Sequence, residues 1–178
     1  LFGKNTVAGA ISLVTKKPGD ELEGQVSADF GNLKYTEFKG RINIPLSDKV
    51  AAKFSIAKAD RDGYVENIIT GNKLMEIDTL AYRAQLRIQA SDQLEINASF
   101  DGLNSEGKIL VAEPLTDMLA VQPVALGAEE RVVAFSFDPS DKRDVYGGHL
   151  DINYETESGF TVKSITGYRD TDANYSNA

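Results

Sequence analysis

Along most of this chain hydrophobic and polar residues alternate with a period of two, as expected of β-strands with one apolar and one wet face. Thr36, Phe38, Gly40, Ile42, Ile44 and Leu46 fall on one face of a strand, with Glu37, Lys39, Arg41 and Asn43 on the other. Val26, Ala28 and Phe30 oppose Gln25, Ser27 and Asp29, and Val50, Ala52, Phe54 and Ile56 continue the pattern. Leu80, Tyr82, Ala84, Leu86 and Ile88 oppose Arg83, Gln85, Arg87 and Gln89. Leu94, Ile96, Ala98 and Phe100 then oppose Glu95, Asn97, Ser99 and Asp101, and Tyr146, Gly148, Leu150, Ile152 and Tyr154 oppose His149, Asp151 and Asn153. The last run, Phe160, Val162, Ser164, Thr166 and Tyr168, is weaker because Ile165 breaks its phase. The pattern predicts about seven strands, at roughly 24–31, 34–46, 49–59, 77–90, 94–104, 144–155 and 160–172, and an all-β fold.

Several of these runs exceed the ~5–6 residues usual for a globular strand. Most reach the ~9–11 residues with which a tilted strand crosses a bilayer. The connections point the same way. Ser47-Asp48, Ser91-Asp92-Gln93 and Glu157-Ser158-Gly159 are tight turns of suitable composition. They alternate with Gly31-Asn32-Leu33, residues 60–76 and residues 105–143, the last two long. Short turns at one end and long loops at the other are the layout of an antiparallel transmembrane β-barrel. Phe30, Phe100, Tyr146 and Tyr168 are expected near the long-loop ends, and Tyr154 and Phe160 near a tight-turn end, where amphipathic rings form interfacial girdles. Ordinary core aromatics of a soluble β-sandwich are the alternative.

Composition narrows the choices. The 178 residues include no cysteine and one histidine, which removes thiol nucleophiles, Cys-based zinc sites and disulfides. The formal charge of −8 and the absence of a basic cluster argue against a nucleic-acid partner. No apolar run approaches the ~18 residues of a membrane helix. Both ends abut patterned segments, so the chain reads as a piece of a longer protein.

Residues 1–16 carry a further signal. Leu1, Phe2, Gly3, Asn5, Gly9, Ile11, Val14, Thr15 and Lys16 resemble the closing segment of the plug domain of TonB-dependent receptors. There a Leu-Phe-Gly turn is followed by Asn, a Gly and a strand ending in Thr-Lys. Ala8 departs from the pattern, where Gly is frequent. Tyr82–Arg87 and Ser164–Arg169 are similar to early barrel strands of the same family. The resemblance implies residues 1–16 as the end of a plug, with a short strand over Ala10–Thr15. Residues 17–23 become a linker, and residues 24–178 the first strands of a plugged barrel of ~22 strands. It implies a Gram-negative outer-membrane location and energised uptake of a ferric siderophore. Haem, cobalamin and glycans are the alternative solutes. The implied partners are that solute, outer-membrane lipid and the TonB energy-coupling protein, which acts through a segment outside this chain. No catalytic residue, metal site or cofactor is expected.

Three groups of residues are candidate sites on this reading. Lys39, Arg41, Arg83 and Arg87 lie on polar strand faces, suited to hold a plug by ion pairs or simply to be wetted. Arg61, Tyr64, Arg131 and Arg143 are loop candidates for an anionic ligand, through bidentate guanidinium bonds. His149 shares a face with Asp151 and Asn153 and reads as a polar wall residue. An outer-membrane barrel enzyme would need a Ser/His/Asp or Asp/His set, for which one histidine is a poor basis. A soluble sandwich would explain the alternation but not the loop parity.

Overall fold

The structure, a computed structural model, describes residues 14–109 and 131–176. The expected motif residues Leu1, Phe2, Gly3, Asn5 and Gly9 lie outside the described residues, as does most of the long segment before Arg131. No helix occurs among the described residues. Seven long strands form one antiparallel sheet: β1 (Glu23–Phe30), β2 (Thr36–Ser47), β3 (Val50–Arg61), β6 (Ile77–Gln89), β7 (Leu94–Lys108), β9 (Ser140–Glu155) and β10 (Thr161–Ser176). The spatial order follows the chain, because each hairpin pairs a strand with the next long one. Three short strands, β4 (Val65–Asn67), β5 (Asn72–Leu74) and β8 (Val132–Val133), make a second sheet in order β5-β4-β8, with β4 and β8 parallel.

All seven strands expected from the alternation are present, but several run further toward the long-loop end. β7 continues to Lys108, β9 begins at Ser140 and β10 reaches Ser176. The extensions of β7 and β9 are polar on both faces, so no alternation marks them; the hydrogen-bond ladder carries on regardless. Phe100 and Tyr146 therefore sit inside their strands rather than at the ends. Two other expectations are corrected. Glu23 belongs to β1, not to the linker, and Val14 and Thr15 are not in a strand. No described strand pairs with them; Val14 is exposed and Thr15 is reached by the Gln85 side chain of the large sheet.

The tight turns keep the ladder in register. Ser47 and Val50 close a two-residue hairpin, and a register shift between Pro45 and Ser47 falls beside it, where a proline lacking its N–H does least harm. Gly159, at φ +83°, closes the β9–β10 turn and donates to the Thr156 carbonyl at 2.9 Å. Across the first of the other connections, Leu33 and Lys34 take left-handed conformations, and Gly31 donates to the Tyr35 carbonyl at 2.9 Å.

The large sheet is a single layer. Among the described residues its only buried hydrophobic side chains are Ala51 and Ala52. Its apolar face runs in registered rows: Ile42, Phe54, Ala84, Phe100, Gly148 and Tyr168 form one, and Ile44, Ala52, Leu86, Ala98, Leu150 and Thr166 the next. Val26, Phe38, Phe54, Ile56, Val162 and Tyr168 on this face are exposed. The Tyr82 ring covers Gly102 so closely that any Cβ there would collide with it, and it lies 6.2 Å from the Phe100 ring. Toward the long loops the same face turns charged. Asp60, Asp78, Glu106 and Lys142 share one row, and Lys58 pairs with both Asp60 and Asp78.

Candidate functional site

The other face of the sheet is polar, and register organises it into rungs. One rung crosses all seven strands: Gln25, Arg41, Ser55, Arg83, Asp101, Gly147 and Arg169. It places three arginines in line although they are far apart in sequence. Asp101 is shared, at 3.4 Å from Arg83 Nη2 and 2.8 Å from Arg169 Nη2. Arg169 reaches it from two strands away. Gly147 lies between them, and a Cβ there would meet backbone at 2.5 Å; the missing side chain leaves a path for the guanidinium. A cavity of about 760 Å³ opens on this face, lined among others by Lys16, Lys39, Arg41, Lys53, Arg83 and Arg169.

Residues 15–21 lie against the same face at its tight-turn end. Asn43 is the clamp. Its Oδ1 accepts from the Gly19 N–H at 2.8 Å, and its Nδ2 donates to the carbonyls of Gly19 (3.0 Å) and Glu21 (2.5 Å). Its near-complete burial is tolerable because those bonds satisfy its amide. Arg87 pairs with Asp20, Lys17 bonds Glu95 at 2.5 Å, Lys53 donates to the Lys16 carbonyl at 3.2 Å and Gln85 to Thr15 Oγ1 at 3.5 Å. Pro18 is buried in this contact.

The four polar-face cations singled out from sequence thus differ in use. Arg87 contacts the N-terminal segment. Lys39 pairs with Glu37 of its own strand at 2.7 Å, and Arg83 with Asp101. Arg41 has no acidic partner among the described residues. Thr15 and Lys16 touch the polar face, and Lys16 also pairs with Glu23 at 3.5 Å. Lys53, Asp101 and Arg169 were not singled out, although the strand phase puts all three on the wet face.

The loop candidates come together more closely. Tyr64 has the guanidinium of Arg61 5.2 Å from its ring centroid and that of Arg131 5.7 Å from it, a cation–π stack. Arg61 also donates to the Met75 carbonyl at 2.7 Å. Arg143 stands apart: it lies within β9 rather than in the loop, bonds Asp141 and stacks on Tyr175 at 5.4 Å. Within the expected long loops 60–76 and 105–143, Val65–Asn67, Asn72–Leu74 and Val132–Val133 pair with one another as the small sheet. Val65, Leu74 and Val133 are its core, with Tyr64, Met75 and Phe135 against them. The fully buried Asn67 donates to Asp138 Oδ1 at 2.9 Å and accepts from the Phe135 N–H at 3.1 Å. Thr70 and Asn72 also donate to Asp138, each at 2.6 Å. Desolvation pushes the Asp138 carboxyl up, but these hydrogen bonds and the Lys108 charge outweigh it and hold it below its ordinary range. At the neighbouring connection, a hydrogen bond from Lys34 to Asp62, with their mutual attraction, raises the lysine above its usual value.

His149 Nδ1 lies 2.7 Å from Ser99 Oγ. A serine beside a histidine is two-thirds of a hydrolytic triad, but among the described residues no acid bonds the ring. Asp151, on the same face, is engaged by Asn153 at 2.7 Å and Lys163 at 3.0 Å. Among the described residues no group of three or more metal-ligating side chains converges. No protein-family model matches the chain, and no solved structure matches it.

Proposed function

We infer that this chain is the plug end and first wall strands of a TonB-dependent receptor of a Gram-negative outer membrane, taking up a ferric siderophore or a similarly scarce solute. The observation that carries the reading is the unequal treatment of the two faces of one sheet. The apolar face is left uncovered, whereas the polar face already holds residues 15–21. In water the reverse would be expected, since burying apolar area is the main favourable term in folding. In a bilayer the apolar face is satisfied by lipid and the polar face lines an interior. At about 3.4 Å per residue, the eight-residue step from Tyr146 to Tyr154 is about 27 Å along the strand, or about 21 Å at a ~40° tilt. That approaches the ~25 Å apolar band of such barrels. The charged row beyond it would sit outside the hydrocarbon.

On this reading residues 1–16 close the plug, residues 17–23 lead into the wall, and the wall continues through strands outside this chain. The small sheet and its Tyr64 stack stand at the outer mouth. The periplasmic TonB protein supplies energy by pulling on the plug, and the protein itself performs no covalent chemistry. Haem, cobalamin and glycans are the other solutes such receptors carry. The test is uptake of a radiolabelled ferric siderophore by iron-starved cells with and without the inner-membrane coupling complex. The reading expects the full-length protein in the outer-membrane fraction and uptake that disappears with the coupler. Recovery of the protein in a soluble fraction overturns it.

A further inference from the structure

The cavity on the wet face is lined by more cations than acids, although the face as a whole is close to balanced. Of the side chains lining its cavity, Lys16, Lys39, Arg41, Lys53, Arg83 and Arg169 are cationic and only Asp101 is anionic. This occurs in a chain of formal charge −8, so the excess is local. Pairing removes part of it: Lys39 is matched by Glu37, Lys16 by Glu23, and one of Arg83 and Arg169 by Asp101. Arg41, Lys53 and the second rung arginine are left over, about three charges. The chain's own first thirteen residues do not supply the counter-charge, because their one charged side chain is Lys4.

We propose that the rung of Arg41, Arg83 and Arg169, with Lys53 beside it, binds a solute bearing several carboxylates. This rests on the receptor reading and narrows its cargo to polycarboxylates, excluding neutral glycans and corrinoids. A guanidinium presents a planar fork that matches a carboxylate with two parallel bonds. At ~4.8 Å per strand, Arg41 and Arg83 are about 10 Å apart at the backbone and Arg83 and Arg169 about 14 Å. Their long side chains can converge from both sides on one polyanion. Asp101 is the resident stand-in, holding Arg83 and Arg169 across the gap at Gly147 until a solute carboxylate replaces it. Alternating occupation of such weak, wet contacts suits a path along which cargo must also leave.

The experiment titrates citrate, as the polycarboxylate probe, into the purified full-length receptor in detergent by calorimetry, with lactose as the neutral control. The proposal expects citrate to bind and lactose not to, with affinity falling as salt rises. Arg41→Gln should weaken citrate about tenfold, a change typical of one charged hydrogen-bonding pair. Arg41→Gln with Arg83→Gln should weaken it further, and Asp101→Asn should tighten it by removing the competitor. No citrate binding, or equal affinity in all variants, overturns the proposal. So does a result in which the arginine variants leave citrate affinity unchanged but expose the N-terminal segment to protease, since the carboxylates would then belong to the protein. Outer-membrane fractionation of the same preparations tests the receptor reading separately. A correctly localised receptor that ignores citrate sinks only the cargo assignment.

Discussion

The two sheets of this molecule solve the hydrophobic problem in opposite ways. The small sheet, built from eight strand residues, buries Val65, Leu74 and Val133 almost completely. The large sheet has seven long strands and buries only two alanines among its hydrophobic residues. Size would favour the reverse, because larger folded units bury a larger fraction of their surface. On the proposed receptor reading the difference follows from the solvent each sheet meets. The small sheet has a core of its own, with its polar hub of Asn67 and Asp138 hydrogen-bonded from within. The large sheet leaves an apolar face that the described residues do not cover, and the proposed barrel would cover it with lipid.

Removing the small core should have the largest local effect. Leu74→Ala should cost about 2–5 kcal/mol and appear as faster amide exchange in residues 64–75 and 131–135. Membrane assembly of the full-length protein should be unaffected; if assembly fails, the two sheets are not independent. The wall is challenged next. On the proposed barrel reading, Ile42→Arg should cost about 2–4 kcal/mol near a bilayer midplane and reduce the heat-resistant folded band in outer membranes. Arg41→Ile, one residue along the same strand, should do so far less. Equal losses would erase the distinction between the faces. Asn43→Ala should cost about 1–3 kcal/mol by leaving the Gly19 and Glu21 groups unpaired. It should open Lys16 and Lys17 to trypsin, with little change in the wall.

The smallest effect is a pH response confined to the small sheet. Hydrogen bonds hold the Asp138 carboxyl below the ordinary aspartate value, so its contribution is complete above that ordinary value. It is lost as pH falls through the lower, folded-state pKa. NMR signals of Asn67, Thr70 and Asn72 should therefore hold steady down to about pH 4 and shift below it. Asp138→Asn should abolish that shift.

The large sheet was legible in sequence because one of its faces is apolar and its tight turns are short, which fixes phase and register together. Where both faces are polar, as at Asn104–Lys108 or Asp141–Arg143, a strand looks like a loop. The small sheet was hidden for another reason. Its strands are two or three residues long, too short for any period, and β4 meets β8 across more than sixty residues. The arginine rung needed both kinds of information. Phase alone places Arg41, Arg83 and Arg169 on the wet side, but only the pairing of β2, β3, β6, β7, β9 and β10 aligns them. Ile165, which broke the alternation, is an exposed apolar residue on the polar face, opposite Asp151.

These 178 residues contain no cysteine, so single cysteines introduced into them can be spin-labelled selectively once any cysteine elsewhere in the full-length protein is replaced by serine. In the full-length protein reconstituted in bilayers, labels at Phe54, Ala98 and Leu150 should collide mainly with dissolved oxygen, which concentrates in lipid. Labels at the adjoining Ser55, Ser99 and His149 should collide mainly with a water-soluble nickel chelate. A strict alternation between neighbours is the predicted result. Protection of the first three positions from both reagents would place them in a closed protein core and contradict the account.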